Sequence, residues 1–346
     1  MIFFKKSKYL NKFLTVCNKK YFFDIIVQKE FIEMKVSVKV PATSANIGPG
    51  FDCMGMALPI YNIVTIDETV LPGTGVEINI LSEQEDVDKL IIDHIPRDEN
   101  SVVYKAVELL YNSIGQTPSE LKINIQTSIP VTRGLGSSAA VIVGALIAAN
   151  RLLGNPADES ALLSIATEIE GHPDNITPAI VGGLVMSSLE NDGSIVYRKL
   201  DWPDEWNITV CIPDVELTTE VSRSVIPECV PLEDAVFNVK RMAMFMTALQ
   251  TKDAELMKLA LKDKLHQPYR EKLIPGLKEL TEAFKHEDDV LGCVISGAGS
   301  SMLIISKNNV VDKVTSTTMD IMENLNVKAT VKTMKIVQEG ATIISE

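Results

Sequence analysis

Pro130-Val-Thr-Arg-Gly-Leu-Gly-Ser-Ser-Ala-Ala140 lies between a strand-like run, 121–127, and a long apolar helix-like run, 139–153. Gly134 and Gly136 allow a tight turn and a close backbone approach to a ligand. Ser137 and Ser138 then open the helix, where their hydroxyls are expected to cap unpaired N–H groups. A helix start with free N–H groups and the positive end of its dipole suits an anion, so the first expectation is a phosphate cradle. A Gly-rich turn with a serine cap that binds nothing fits the same spacing. Residues elsewhere in the chain must decide between the two.

The chain has 346 residues, enough for a sizeable core and for about two domains. Its formal charge of −13 argues against nucleic acid or an anionic membrane as the main partner, because each wants a basic face. A small anionic ligand held by a local dipole stays open. The five cysteines (Cys17, Cys53, Cys211, Cys229 and Cys293) are scattered and show no C-x-x-C spacing. Neither a zinc ribbon nor a disulfide framework is expected, and a reducing cytoplasm fits best. His94, His172, His266 and His286 are too dispersed for a histidine metal site. No apolar run reaches the roughly 18 residues needed to span a bilayer.

Residues 1–33 carry seven lysines, three acids and many aromatics. Lys19, Lys20 and Asp24 interrupt any signal-like apolar core. Met34-Lys-Val-Ser-Val-Lys-Val then reads like a clean beginning with strand alternation. Residues 1–33 are therefore expected to be an N-terminal extension outside the core, the alternative being an accessory helix or targeting arm.

Val36, Val38 and Val40 predict a half-buried strand that Pro41 stops, followed by a loop, 42–52, rich in turn formers. Further strands are expected at 60–66, 76–81, 121–127, 195–200, 208–212, 291–295, 302–305 and 327–336. Helices are expected at 101–114, 139–153, from Asp158 as cap to about Glu170, and as a short segment after His172-Pro-Asp-Asn175. Beyond these, 221–225, 235–249, 254–265, 277–284 and 310–325 read as helical. Strands and helices without a steady β-α-β alternation suggest an α+β protein in two lobes. The boundary is placed near Trp202-Pro-Asp-Glu-Trp206, giving lobes 34–205 and 206–346.

Several phosphate and catalytic signatures are missing. No G-x-x-x-x-G-K-[ST] occurs, nor H-R-D or D-F-G, nor G-x-S-x-G, and Gly134 and Gly136 lack the third glycine of a dinucleotide fingerprint. What remains is a phosphate-type loop of another kind. Pro41-Ala-Thr-Ser-Ala-Asn-Ile-Gly-Pro-Gly-Phe-Asp52, then Gly134-Leu-Gly-Ser-Ser-Ala-Ala140, then Ser296-Gly-Ala-Gly-Ser-Ser301 resemble the three ordered motifs of the GHMP small-molecule kinases. Within that family the first motif and His172-Pro-Asp-Asn175 look like the homoserine kinases. The resemblance covers the chain from Met34 to its C-terminal region.

The resemblance implies an N-terminal ATP-binding lobe with a ribosomal S5 domain 2-like βαβ unit and a ferredoxin-like α/β C-terminal lobe. It implies that Pro130, Val131, Thr132, Arg133, Gly134, Leu135, Gly136, Ser137, Ser138, Ala139 and Ala140 wrap the ATP phosphates. It implies Mg²⁺ on Ser138 and Glu168, with Glu170 close enough to serve instead; one carboxylate with a hydroxyl and phosphate oxygens suits this ion. A solvated helix face explains Glu168 and Glu170 equally well without the resemblance. L-Homoserine is the implied substrate, with Asp52 as ammonium partner, Asn46 and His172 as polar neighbours, and Arg223 and Arg270 on the carboxylate. A planar guanidinium pairs with a carboxylate better than a lysine does. Asn175 stands where several relatives carry an aspartate base, and an amide cannot take that proton. Asp174 is either a base or, as favoured here, a cap of the following helix. The third motif usually continues with proline, and Ser300 in its place predicts a somewhat looser loop. The family also admits a homodimer.

Overall fold

The computed structural model describes residues 34–68, 75–82, 95–118 and 120–345. The expectation for residues 1–33 lies outside them. A seven-stranded sheet is built on two long antiparallel strands, β1 (Met34–Asn46) and β2 (Gly50–Glu68). Pro41 does not stop β1. The register shifts between Pro41 and Ala42 and again between Ala45 and Asn46, so the irregularity is absorbed within the ladder. The expected loop 42–52 shrinks to a turn around Ile47, Gly48 and Pro49.

Strand β3 (Val76–Ser82) runs parallel to β4 (Leu121–Thr127), and the helix α1 (Val102–Ser113) connects them. This is a βαβ unit, the connection that parallel neighbours require. Val103, Ala106, Val107 and Leu110 form the buried face of α1, and the Ser101 hydroxyl caps it by accepting from the Val103 amide. The chain then turns through 128–136 into α2 (Ser137–Leu152), whose small apolar residues let it lie against β1 and β2. Helices α3 (Glu159–Glu170) and α4 (Pro173–Val181) follow. The Asp158 carboxylate caps α3, and Gly171 ends it in the left-handed conformation. Strands β5 (Leu184–Leu189) and β6 (Ile195–Leu200) attach to β2 through β5.

The second sheet has the order β10-β7-β9-β8, from β7 (Trp206–Pro213), β8 (Val290–Ile295), β9 (Met302–Lys307) and β10 (Ala329–Met334). It is antiparallel throughout, with helices between β7 and β8 and between β9 and β10, which is the ferredoxin-like arrangement. Those helices are α5 (Thr219–Ser224), α6 (Leu232–Thr251), α7 (Ala254–Ala260), α8 (Gln267–Arg270), α9 (Leu277–Ala283) and α10 (Val311–Asn324).

Every residue of β7 is buried, because both faces of this sheet are covered. Ile208, Val210, Leu303 and Ile305 join the large core shared with the first sheet, whereas Cys211, Met302 and Ile304 point into a second core against α9 and α10. The helix expected over 254–265 stops at Ala260. Asp263 turns the chain there: its carboxylate accepts from the amides of Leu265, His266 and Gln267 at 2.7–3.0 Å. The chain changes sheets between Leu200 and Trp206, yet its last strand, β11 (Thr342–Ser345), returns to pair with β1. Among the described residues no helix is long and apolar enough to cross a membrane.

Candidate active site

The three glycine-bearing segments meet at the junction of the two sheets. The Thr43 amide donates to the Leu135 carbonyl at 3.1 Å, the Gly297 amide to Ala45 at 3.0 Å and the Ser301 amide to Arg133 at 3.1 Å. The Ser296 hydroxyl lies 2.8 Å from that of Ser44 and 2.7 Å from the Gly134 carbonyl. Gly134 is held at φ 73°, and a Cβ there would come within 2.2 Å of the Ser296 carbonyl oxygen. Only glycine lets these two backbones approach so closely.

The expected looseness at Ser300 is not found. Its side chain is fully buried, and its hydroxyl donates to the Val215 carbonyl at 2.5 Å. The serine replaces pre-set backbone geometry with a hydrogen bond. The segment 296–301 is therefore a cross-linked wall of the site as well as a turn between β8 and β9.

One cavity of about 390 Å³ opens where these segments meet. Residues 130–138 line it, as do Asn46, Asp52, His172, Asp174, Asn175, Arg223 and Arg270. Ala139 and Ala140 do not; both are buried on the core side of α2. The serine caps expected at the start of α2 are absent. Its N-cap is Gly136, at φ 67°, and no side chain caps the helix. The Ser138 hydroxyl instead donates to Glu170 Oε2 at 2.8 Å. The start of a 16-residue helix thus faces the cavity with its first-turn amides uncapped.

Arg133 does not lend its charge to that end. Its guanidinium is buried against Asp214 at 3.0 Å, Val131 O and Thr132 Oγ1, where it links the two lobes.

Glu168, the carboxylate named first for a metal, is exposed and does not line the cavity, whereas Glu170 does. Two residues along a helix turn the side chain by about 200°, so only one of the pair can face inward. Burial raises the Glu170 pKa against the opposing hydrogen bond from Ser138. Among the described residues no three His, Cys, Asp or Glu side chains cluster to hold a metal by themselves. Ser138 and Glu170 nevertheless offer two adjacent hard oxygen donors, a set that fits a cation keeping most of its ligands as water and phosphate.

Asp174 is not the cap of α4. His172 occupies that position, and Asp174 sits in the first turn with its Oδ1 2.6 Å from His172 Nδ1. Burial alone would push the His172 imidazole down, but the hydrogen bond and charge of Asp174 and the charge of Glu170 outweigh it and raise the pKa. Asn175 Oδ1 accepts from the Thr43 hydroxyl at 2.8 Å and its Nδ2 donates to Asp174 Oδ1 at 3.5 Å, which leaves the second N–H of the amide for the cavity. Cys53 adjoins the same acids. Burial and the charges of Asp174 and Asp52 push its pKa up to about 11, which keeps it a thiol.

Asp52 and Arg223 are brought together as a pair. Arg223 Nη1 donates to Oδ2 at 3.1 Å and Nη2 to Oδ1 at 2.6 Å. Arg270 is buried; its Nε donates to the Ser222 carbonyl at 3.2 Å, and its Nη1 to the Gly297 carbonyl at 3.1 Å and to His266 Nδ1 at 3.4 Å. Burial, with the charge of Arg223, lowers its pKa to about 10. Both guanidiniums stand 5.4 Å from the ring of Phe51, which also stacks on His266.

Thr43, Phe51 and His266 were not singled out from the sequence. Thr43 and Phe51 lie inside the quoted first motif, which was the available signal for them, and His266 stands four residues before Arg270. The apolar lining of the cavity, with Ile95, Pro96, Val102, Ile125 and Val131, had no signal of its own because its residues come from four separate segments.

Comparison with known proteins gives a consistent picture. The model of the GHMP kinases N terminal domain matches residues 101–183, and that of the GHMP kinases C terminal matches 245–317. A homoserine kinase of Moorella thermoacetica is 41% identical over 307 residues, covering 89% of this chain and 99% of that one. A homoserine kinase of Caldicellulosiruptor saccharolyticus is 43% identical over 274 residues, 79% of this chain and 85% of that one. The crystal structure of homoserine kinase from Cytophaga hutchinsonii superposes with a TM-score of 0.79 at 27% identity, covering 90% of this chain and 98% of that one.

Proposed function

Because the chain belongs to the homoserine kinases of the GHMP kinase family, we propose that it transfers the γ-phosphoryl group of ATP to the side-chain hydroxyl of L-homoserine, giving O-phospho-L-homoserine for threonine synthesis. The observation that carries this reading is the content of one cavity. An uncapped helix start, a buried arginine that no carboxylate among the described residues pairs directly, and a carboxylate–guanidinium pair all face the same space. These groups suit a polyphosphate at one end and an amino-acid zwitterion at the other.

The triphosphate rests on the first-turn amides of α2 and the left-handed backbone at Gly134 and Gly136. No lysine takes part in this loop, so backbone dipoles supply most of the protein's positive potential there. The apolar lining around Ile95, Val102 and Ile125 accepts a flat base. Ser138 and Glu170 are the residues to hold Mg²⁺, which when bound neutralises charge on the phosphates.

The substrate ammonium faces Asp52 and its carboxylate faces Arg223 and Arg270. The Asn175 amide donates to the hydroxyl oxygen and orients it, and Thr43 fixes which end of that amide points inward. The hydroxyl oxygen forms the new bond to phosphorus as the bond to the ADP oxygen breaks, and the hydroxyl proton passes to an oxygen of the transferred phosphoryl group and from there to bulk water. Transfer through a loose transition state asks more for position and charge than for a strong base. Asp174, engaged with His172, serves to hold the imidazole rather than to collect that proton. The formal charge of −13 and the scattered cysteines support a cytoplasmic enzyme acting on small molecules rather than on nucleic acid or membrane.

A coupled ADP-release assay with L-homoserine, L-serine, mevalonate and galactose tests the reading. L-Homoserine should give turnover at least a hundredfold above the others. Preference for mevalonate or galactose would move the chain to another branch of the family, and no turnover with any of the four would reduce it to a binding protein.

A further inference from the structure

The substrate end of the cavity is closed on itself. Asp52 and Arg223 use both carboxylate oxygens and both terminal guanidinium nitrogens on each other. Their side chains are 36% and 37% exposed, so the pair lies at the cavity rather than behind it. Arg270 has the opposite character: it is buried, and among the described residues no carboxylate lies within ion-pair distance of it. The end therefore holds one satisfied ion pair beside one cation with no carboxylate in direct contact, on which Asp52 and Asp263 act only at longer range.

The two members of the pair differ in freedom. Asp52 is fixed at φ 57°, and its amide donates to Asn46 Oδ1 at 3.0 Å. Asn46 is anchored in turn, its Nδ2 donating to the Gly297 carbonyl at 2.7 Å. Arg223 projects from the six-residue helix α5 on a long side chain whose only acceptor among the described residues is Asp52. Phe51 offers one aromatic surface to both guanidiniums. Arg223 can thus leave Asp52 while Asp52 stays in place.

We propose that substrate selection works by exchange of this ion pair: a zwitterion places its ammonium on Asp52 and its carboxylate on the released Arg223 together with Arg270. This inference rests on the reading of the site as an amino-acid site. After exchange every charge has a partner, including Arg270. A ligand with only a carboxylate draws Arg223 away and strands Asp52. One with only an ammonium occupies Asp52 and leaves two neighbouring arginines without an anion. Removing one partner of a half-buried pair costs more than the pair itself contributes, because the other charge keeps its desolvation. Discrimination against singly charged alcohols then exceeds the sum of two separate contacts.

The test uses calorimetric binding of three ligands to the full chain: L-homoserine, 4-hydroxybutyrate, which lacks the ammonium, and 3-aminopropan-1-ol, which lacks the carboxylate. In Asp52→Asn the ion pair is gone and Arg223 is free. Exchange predicts that 4-hydroxybutyrate binds this variant roughly fivefold tighter than the wild type, the scale of one half-exposed pair, while L-homoserine binds it far more weakly. Unchanged or weaker binding of 4-hydroxybutyrate to a folded variant would overturn the proposal, since it would mean that ligands dock on an intact pair. A second arm needs no variant. At constant ionic strength, ammonium chloride in place of sodium chloride should tighten 4-hydroxybutyrate on the wild-type protein, because the ammonium ion repairs Asp52; equal affinity in the two salts also counts against exchange. Failure of the substrate reading looks different: L-homoserine itself would then neither bind nor be phosphorylated by the wild type.

Discussion

His266 Nδ1 faces Arg270 Nη1 at 3.4 Å, and on the other edge of the ring Nε2–H donates to the Gly48 carbonyl at 2.8 Å. The imidazole is fully buried. It ties the turn between β1 and β2 to the buried arginine of the second lobe, and both contacts require the neutral ring with its proton on Nε2. A proton on Nδ1 would place a second positive charge against the guanidinium.

Burial lowers the His266 pKa below its ordinary value, against the raising charge of Asp263 and the Gly48 hydrogen bond. The unfolded chain then takes up a proton below about pH 6.5 that the folded chain refuses. Stability is full above that pH and is lost as pH falls from about 6.5 towards the folded pKa, by at most about 1.4 kcal/mol per pH unit from this group. Urea denaturation at pH 7.5 and 5.5 should show a smaller loss of stability in His266→Gln than in the wild type. Equal losses in the two proteins would remove His266 as the source.

Gly136 stands against Thr43 and Asn175, the residues proposed to orient the substrate hydroxyl. A Cβ added there would meet Thr43 Oγ1 at 1.9 Å and Asn175 Oδ1 at 3.2 Å. Gly136→Ala should therefore lower kcat by one to two orders of magnitude through displaced Thr43 and Asn175. Its stability loss should be about 1–3 kcal/mol from left-handed strain and overpacking. At Gly134 the clash is with backbone, at 2.2 and 2.7 Å from the carbonyls of Ser296 and Gly299. Gly134→Ala should then cost more stability, about 2–4 kcal/mol. Thermal melts and steady-state rates on the two variants separate these outcomes.

What could be read from the chain followed from how local each signal is. Strand 121–127 and the helices around it were legible because alternation, caps and glycines act within a few residues. Asn46, Asp52, Asn175, Arg223 and Arg270, all named from the motifs, line one cavity. The failures concern which partner a polar side chain takes. Ser138 met Glu170 across two helices instead of capping its own, and Asp174 met His172. Glu168 and Glu170 differ only in the phase of α3 relative to α2, a fact of packing. The pairing of Asp52 with Arg223 joins residues 171 positions apart, and no local rule brings them together.

Thr43 is buried and its hydroxyl donates to Asn175 Oδ1 at 2.8 Å. Thr43→Val keeps the shape and removes the donor, leaving the Asn175 oxygen unpaired and its amide held only by the 3.5 Å contact of Nδ2 with Asp174 Oδ1 among the described residues. Stability should fall by about 1–2 kcal/mol. The larger effect should be on turnover: kcat should drop about tenfold or more, with little change in the KM for ATP, because orientation of the acceptor hydroxyl is what is lost. A Thr43→Ser variant, which restores the hydroxyl, should recover most of kcat. A kcat unchanged in Thr43→Val would mean that Asn175 is held by other contacts.

Glu170 and Glu168 give a paired experiment in which one variant controls for the other. Both lie in the last turn of α3, so replacing either by glutamine removes one negative charge near the same helix end. Only Glu170 reaches the cavity and accepts from Ser138. If Ser138 and Glu170 hold Mg²⁺, Glu170→Gln should raise the Mg²⁺ concentration needed for half-maximal rate by about tenfold or more, the effect of losing the one protein carboxylate at that site. Glu168→Gln should leave that concentration within about twofold of the wild type, since its side chain is solvated and distant charge is screened. Direct titration with Mn²⁺, followed by the relaxation of water protons, gives the same comparison without turnover. Equal shifts in the two variants would show a general charge effect at the end of α3 rather than a ligand, and a shift confined to Glu168→Gln would return the metal to the outer face of the helix.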